Sequence, residues 1–168
     1  MSLEQKISMS ANASTLIKSL KHPLKFRMFL LSSLPNAFFS GLRIKDLDET
    51  VCRVTVPYKW FTKNPFRSTY FACLSMAAEM STGALLYAYL SGSKTKYILV
   101  GMKAEFLKKV RGKSFYFCPS GQEVLRKLNS LENPGENCTV ILPVYAHDQT
   151  GDQVAEFQFY WQFRKTEN

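Results

Sequence analysis

Histidine is scarce in this chain of 168 residues, with only His22 and His147. The first precedes Pro23 and the second opens the turn "HDQTGD", so neither is placed for triad chemistry. The four cysteines, 52, 73, 118 and 138, include no C-x-x-C pair and no spacing suited to zinc. They lie in apolar stretches, where a free thiol packs as a small hydrophobe, and a reduced, cytoplasmic protein without a metal is expected. G-x-S-x-G, Walker A and G-x-G-x-x-G are all missing; "GSKT" at 92–95 lacks the earlier glycine and the G-K pair. "GKSFYF" carries the basic-aromatic flavour of an RNA-recognition strand without its glycines, so a nucleic-acid partner is not expected. The N-terminus lacks the apolar core and small-residue cleavage site of a secretory signal.

Acid is also missing where base is plentiful. Residues 5–45 carry Lys6, Lys18, Lys21, Lys25, Arg27, Arg43 and Lys45 and no Asp or Glu, within a net charge of +9. That imbalance favours an anionic partner such as ligand phosphates, nucleic acid or a lipid surface. A solvated basic face and an arginine-poor transit segment are competing readings.

What is present is a core. Hydrophobic residues make up 46% and aromatics 14% of the chain, ample for one domain. Residues 3–34 read as two short helices broken at His22-Pro23, since a residue before proline avoids helical geometry. The second sets Phe26, Phe29 and Leu30 to one side; it packs on the domain or lies on a membrane surface. "LPNAFFSG" reads as a loop. Strands follow at 42–46 and 51–56, then a proline-bounded loop, "PYKWFTKNPF".

A helix capped by Ser68 or Thr69 is expected to run to Leu90. A strand over 97–107, with Ile98, Val100, Met102, Ala104 and Phe106 on one face, is expected to turn at "KKVRGK" and return as "SFYFC". Ser120-x-x-Glu123 has the form of a capping box ahead of Val124, Leu125, Leu128 and Leu131. The last strands, 138–146 and 154–165, flank "HDQTGD". In the second, Ala155, Phe157, Phe159, Trp161 and Phe163 alternate with polar residues, giving one buried face. Pro143 places a bulge or an exposed edge in the other.

The central helix is the informative element. From Ser68 to Leu90 the only charged side chain is Glu79. A helix apolar all round must be covered on every side, and Glu79 together with the amphipathic strands argues against a membrane span. The expected fold is α+β: a curved antiparallel sheet of about six strands wrapped around this helix, with helices ahead of it. A buried carboxylate is usually paired, protonated or used.

"KNPFRSTYFACLSMAAEMSTG", "VGMKAEFLKKVRGK", the small capped helix and "EFQFYWQF" together resemble an uncharacterised, thioesterase-like family of hotdog proteins with N-terminal helices. The likeness covers about 41–165 and divides the chain into an extension, 1–40, and a hotdog domain, 41–168. Such thioesterases polarise the thioester carbonyl at a His-Gly-Gly turn opening the central helix, and a helix acid activates water. By that resemblance Glu79 is the base and Asn64 the loop asparagine. Tyr70 stands where the histidine would be, and Phe71 and Ala72 where the glycines would be. Ser75, one turn before Glu79, leaves room for a ligand, and Lys108, Lys109, Arg111 and Lys113, four cations in six positions, either hold the phosphates of coenzyme A or form an exposed basic turn. The implied substrate is acyl-CoA or another acyl thioester, with coenzyme A as part of it and no separate cofactor. A homodimer, or a tetramer, is implied as well. A non-catalytic acyl-binding protein is the alternative.

Overall fold

The structure, a computed structural model, describes residues 11–167, with side chains from residue 14; Lys6 and the expected start of the first helix near residue 3 lie outside them. Helices α1 (Ala11–Lys21) and α2 (Pro23–Ser33) meet at the expected break, where His22 caps α2 by accepting from the Lys25 N–H. "PNAFFS" is not a loop but a short helix, α3 (Pro35–Ser40). Pro35 supplies a pre-set φ at its first position, and Gly41, at φ 78°, closes it in the left-handed conformation.

Six strands, two further α-helices and a single 3-10 turn (Trp60–Thr62) follow among the described residues. β1 (Arg43–Leu47), β2 (Cys52–Val56), β3 (Thr95–Phe106), β4 (Ser114–Cys118), β5 (Asn137–Asp148) and β6 (Gln153–Lys165) form one antiparallel sheet in the order β1-β2-β4-β5-β6-β3. α4 (Phe71–Leu90) lies in its curve, and α5 (Gly121–Asn129) joins β4 to β5. This is the hotdog arrangement expected from the sequence. Its connectivity corrects the expected hairpin between β3 and β4. β3 pairs with β6 along its length, and "KKVRGK" carries the chain across the helix end into the sheet interior. Val110 explains the crossing: it is buried, and its carbonyl accepts from the Thr69 N–H.

The face assigned to β3 needs a second correction. A bulge between Leu99 and Gly101 leaves Val100 as an extra residue opposite β6. Tyr97 and Leu99 therefore share a face with Trp161 and Phe163, and beyond the bulge Met102, Ala104 and Phe106 take over that face beside Phe159, Phe157 and Ala155. Ile98 and Val100 point away and are 62% and 54% exposed.

Pro143 stands past the last β4–β5 pair, Phe117 with Tyr145, on a length of β5 with only β6 beside it. Its missing N–H leaves no gap in the ladder. The inward face of β6, Ala155, Phe157, Phe159, Trp161 and Phe163, is buried as its alternation requires.

Two caps expected from the sequence do not form. Ser68 and Thr69 precede α4, but Tyr70 is its N-cap and supplies no side-chain bond. The Thr69 hydroxyl is buried without a partner among the described residues, on a segment held as a β-bridge to Lys63. At α5, Ser120 is the N-cap, yet its hydroxyl meets the Cys118 thiol and Glu123 pairs with Arg126.

α5 approaches the β1–β2 turn closely. The Gly121 N–H donates to the Thr50 carbonyl at 3.0 Å, and a Cβ on Gly121 would lie 2.0 Å from the Glu49 carbonyl oxygen. No flexible side chain is there to yield. Gly121→Ala is expected to lower stability by about 1–3 kcal/mol or more, measured as an earlier denaturant midpoint with an unchanged slope. A wild-type midpoint would show that the turn moves freely.

Candidate active site

α4 has no polar face, but its cover is incomplete. The residues left partly open, Ala72, Ser75, Met76, Glu79, Gly83 and Tyr87, recur every three or four positions and so form one stripe. That stripe faces the β3 edge of the sheet. Flanking it, Thr82 is buried; its hydroxyl accepts from Trp161 Nε1 at 3.1 Å and donates to the Glu79 carbonyl at 2.9 Å. These bonds fix the rotation of the helix and hence the direction of Glu79.

Glu79 is half-buried in a cavity of about 480 Å³ between α4 and β3, lined also by Ser75, Met76, Leu99, Met102 and Phe159. Its carboxylate makes no hydrogen bond or ion pair among the described residues, and burial pushes its pKa up from the ordinary value. Gly83, one turn on, makes room: a Cβ there would sit 3.2 Å from Glu79 Oε1. Gly101 lines the same cavity at the β3 bulge. Lone glycines inside a helix and a strand are the signals that would have located this cavity wall in the sequence.

The opening of α4 forms a second feature. Tyr70 is extended, the Cys73 and Leu74 N–H groups donate to its carbonyl, and those of Phe71 and Ala72 have no backbone partner among the described residues. Free N–H groups at a helix N-terminus attract an oxyanion. Phe71 stacks on Phe106 with ring centres 4.1 Å apart and planes at 9°, which brings the end of β3 against the helix opening.

Asn64 works on its own loop. Its Oδ1 accepts from the N–H groups of Phe66 and Ser68 at 3.0 and 3.2 Å and from the Ser68 hydroxyl at 3.2 Å. The structure thus uses Asn64 to shape the segment that delivers Tyr70 and Phe71.

The four cations of "KKVRGK" are not brought together. Lys108 is held by Asp148 and Asp152 of the β5–β6 hairpin, Lys109 lies 6.0 Å from the Phe66 ring centre, and Lys113 lines a different cavity. Arg111 is exposed. Among the described residues no three His, Cys, Asp or Glu side chains gather as a metal site.

A model for the family DUF4442, a domain of unknown function, matches residues 26–163. The chain belongs to that family. No curated protein matches it. Among solved structures, a Pseudomonas aeruginosa protein of unknown function, described as a probable thioesterase, superposes with a TM-score of 0.74 at 22% identity, covering 87% of this chain and 98% of that one. A Chlorobaculum tepidum protein of unknown function gives 0.71 at 18%, covering 89% and 99%. A Haemophilus influenzae thioesterase gives 0.63 at 14%, covering 84% and 90%. At such identities the likeness is one of fold. The family match begins inside α2, so the helical extension is partly family structure.

Because burial raises the Glu79 pKa, the folded chain keeps this proton to higher pH than the unfolded chain. The stability it contributes is full below the ordinary value of 4.5 and is lost as pH rises through the raised one. Glu79→Gln, neutral throughout, is therefore expected to melt above wild type at neutral pH and to lose that advantage below pH 4.5. A gain of equal size at both would show that burial of the charge is not its cause.

Proposed function

We propose that the protein is an acyl-thioester hydrolase acting on acyl-CoA or a similar thioester, with Glu79 as the base that activates water. The observation that carries this reading is Glu79 itself: an unpaired carboxylate, raised by burial, facing a cavity of about 480 Å³. A base whose pKa is drawn toward neutrality suits proton abstraction near pH 7. In this reading a lone pair of water attacks the thioester carbon as Glu79 takes its proton. The developing oxyanion is met by the free N–H groups of Phe71 and Ala72; as it collapses the C–S bond breaks, and the departing thiolate takes the proton held by Glu79, which restores the base.

Within one chain these two parts are too far apart. Phe71 and Glu79 are two turns from each other, about 12 Å along the axis. The reading therefore requires a homodimer in which the central helices run antiparallel and each Glu79 serves the partner's helix opening. The uncovered stripe of α4, the free edge of β3 and the exposed Ile98 and Val100 support such pairing, because an open, apolar strand edge invites another strand.

Non-catalytic acyl binding is favoured by one observation. Phe71, stacked on Phe106, stands where the resemblance expects a glycine, and its bulk narrows the approach to the helix opening. The two readings part at turnover.

Release of free thiol from acyl-CoA substrates of graded chain length is the assay. Hydrolysis is expected in wild type and is expected to fall on the order of 10²–10⁴-fold in a folded Glu79→Gln variant. An unchanged rate in that variant would remove Glu79 from the chemistry. Binding of acyl-CoA without any thiol release would assign the protein to the binding class. Ile98→Arg, which places a charge on the β3 edge at a residue that does not line the Glu79 cavity, is expected to yield monomers by sedimentation and to abolish hydrolysis together with dimerisation. An active monomer would overturn the shared site.

A further inference from the structure

At the opposite edge of the sheet, the helical extension closes a second cavity of about 340 Å³. Lys21 at the end of α1, Arg27 on α2, Arg43 and Lys45 on β1 and Lys113 ahead of β4 all line it. None of the five has an ion-pair partner among the described residues. Asp48, within electrostatic range of Lys21, spends one carboxylate oxygen on the N–H groups of Thr50 and Val51. Buried Phe26, Ile44 and Thr55 also line the cavity. Cations gathered round one concavity repel each other unless an anion enters.

An exposed apolar surface adjoins this cavity. α2 is apolar around much of its circumference but packs only one side: Phe26 and Leu30 are buried, while Leu24, Met28 and Leu31 on the far side are exposed, Leu24 by 66%. From Arg27 a chain of rings leads across the surface. Its guanidinium lies 4.3 Å over Phe38, Phe38 meets Phe39 edge-on at 5.3 Å, Phe39 lies 5.6 Å from Phe61, and Phe61 lies 6.2 Å from Trp60. Trp60 is 80% exposed. Indole and phenyl rings beside unpaired cations are the composition of a surface that rests in a lipid headgroup layer.

We propose that the helical extension docks this protein on anionic bilayers, with a lipid phosphate in the five-cation cavity and α2 and the Trp60 ridge seated at the headgroup–acyl boundary. Charge complementarity selects the occupant. A second copy would bring the same positive cavity, whereas an anionic bilayer offers phosphates and an apolar layer together. The site shares no lining residue with the Glu79 cavity and does not depend on hydrolysis.

Vesicle co-sedimentation of the full chain tests it. Wild type is expected to bind phosphatidylcholine vesicles in which a third of the lipid is phosphatidylserine, and to stay in solution with phosphatidylcholine alone. At about fivefold per cation removed, Arg27→Gln/Lys45→Gln should weaken binding about 25-fold, with an unchanged melting midpoint. Arg43→Gln/Lys113→Gln should do the same and does not touch the Arg27–Phe38 stack. Leu24→Ser/Met28→Ser should weaken binding while leaving the cavity intact. Equal binding to neutral and anionic vesicles, or wild-type binding by both cation variants, would overturn the proposal. Inorganic pyrophosphate added without vesicles is the second arm. A raised melting midpoint in wild type but not in the cation variants, with no vesicle binding, would assign the cavity to a soluble phosphate ligand and overturn lipid docking.

Discussion

A helix with no polar face must be shielded along its whole circumference, and the rest of this fold depends on how far that shield extends. The six strands curve around α4 and bury most of it, including Leu74, Ala77, Leu85 and Leu86. Tyr89 ties its far end to the β1–β2 turn by donating to the Glu49 carbonyl. One stripe escapes cover, because the sheet stops at β3. It is there that the only carboxylate of the helix stands, since its charged form is least costly where water still reaches it.

The uncovered stripe also explains the shape of β3. A regular strand carrying Ile98 through Phe106 would put Ile98 and Val100 on the face that Met102 and Phe106 now occupy. The bulge at Val100 turns the first pair outward while Met102 lines the Glu79 cavity. Around the bulge, between Lys96 and Lys103, the edge is thereby left apolar on both faces. A single chain in water leaves that apolar area exposed, and a second chain laid along the edge would recover it.

What could be read from sequence followed periodicity. Alternation in β6 and the unbroken apolar run of α4 are local patterns; the β6 face is buried as expected, whereas α4, expected to be covered on every side, keeps one open stripe. The β3 bulge is hidden from a reading by alternation, because Gly101 is one residue in a strand whose alternation continues on either side of it. The partnering of β3 with β6 rather than β4 is a non-local choice that strand patterns do not encode. The helical form of "PNAFFS" was legible in Pro35 and Gly41 but outweighed by its shortness. At the candidate site, the isolation of Glu79 was visible in composition. The dispersal of Lys108, Lys109, Arg111 and Lys113 was not, since four cations in a turn look alike until Asp148 and Asp152 claim Lys108.

The proposed dimer bears on the chemistry of Glu79 beyond bringing two parts together. In the single chain, burial alone acts on the carboxyl and favours its neutral form. Antiparallel pairing would set the carboxyl near the partner helix's N-terminus, whose unsatisfied N–H groups act as about half a positive charge. That field favours the carboxylate and opposes burial, drawing the base back toward its charged form in a place where it is still poorly solvated. The same N–H groups would stabilise the oxyanion once substrate displaces water between them. Phe71 sets the limit on this arrangement: its stacking on Phe106 leaves the backbone N–H groups free but fixes a wide ring beside them.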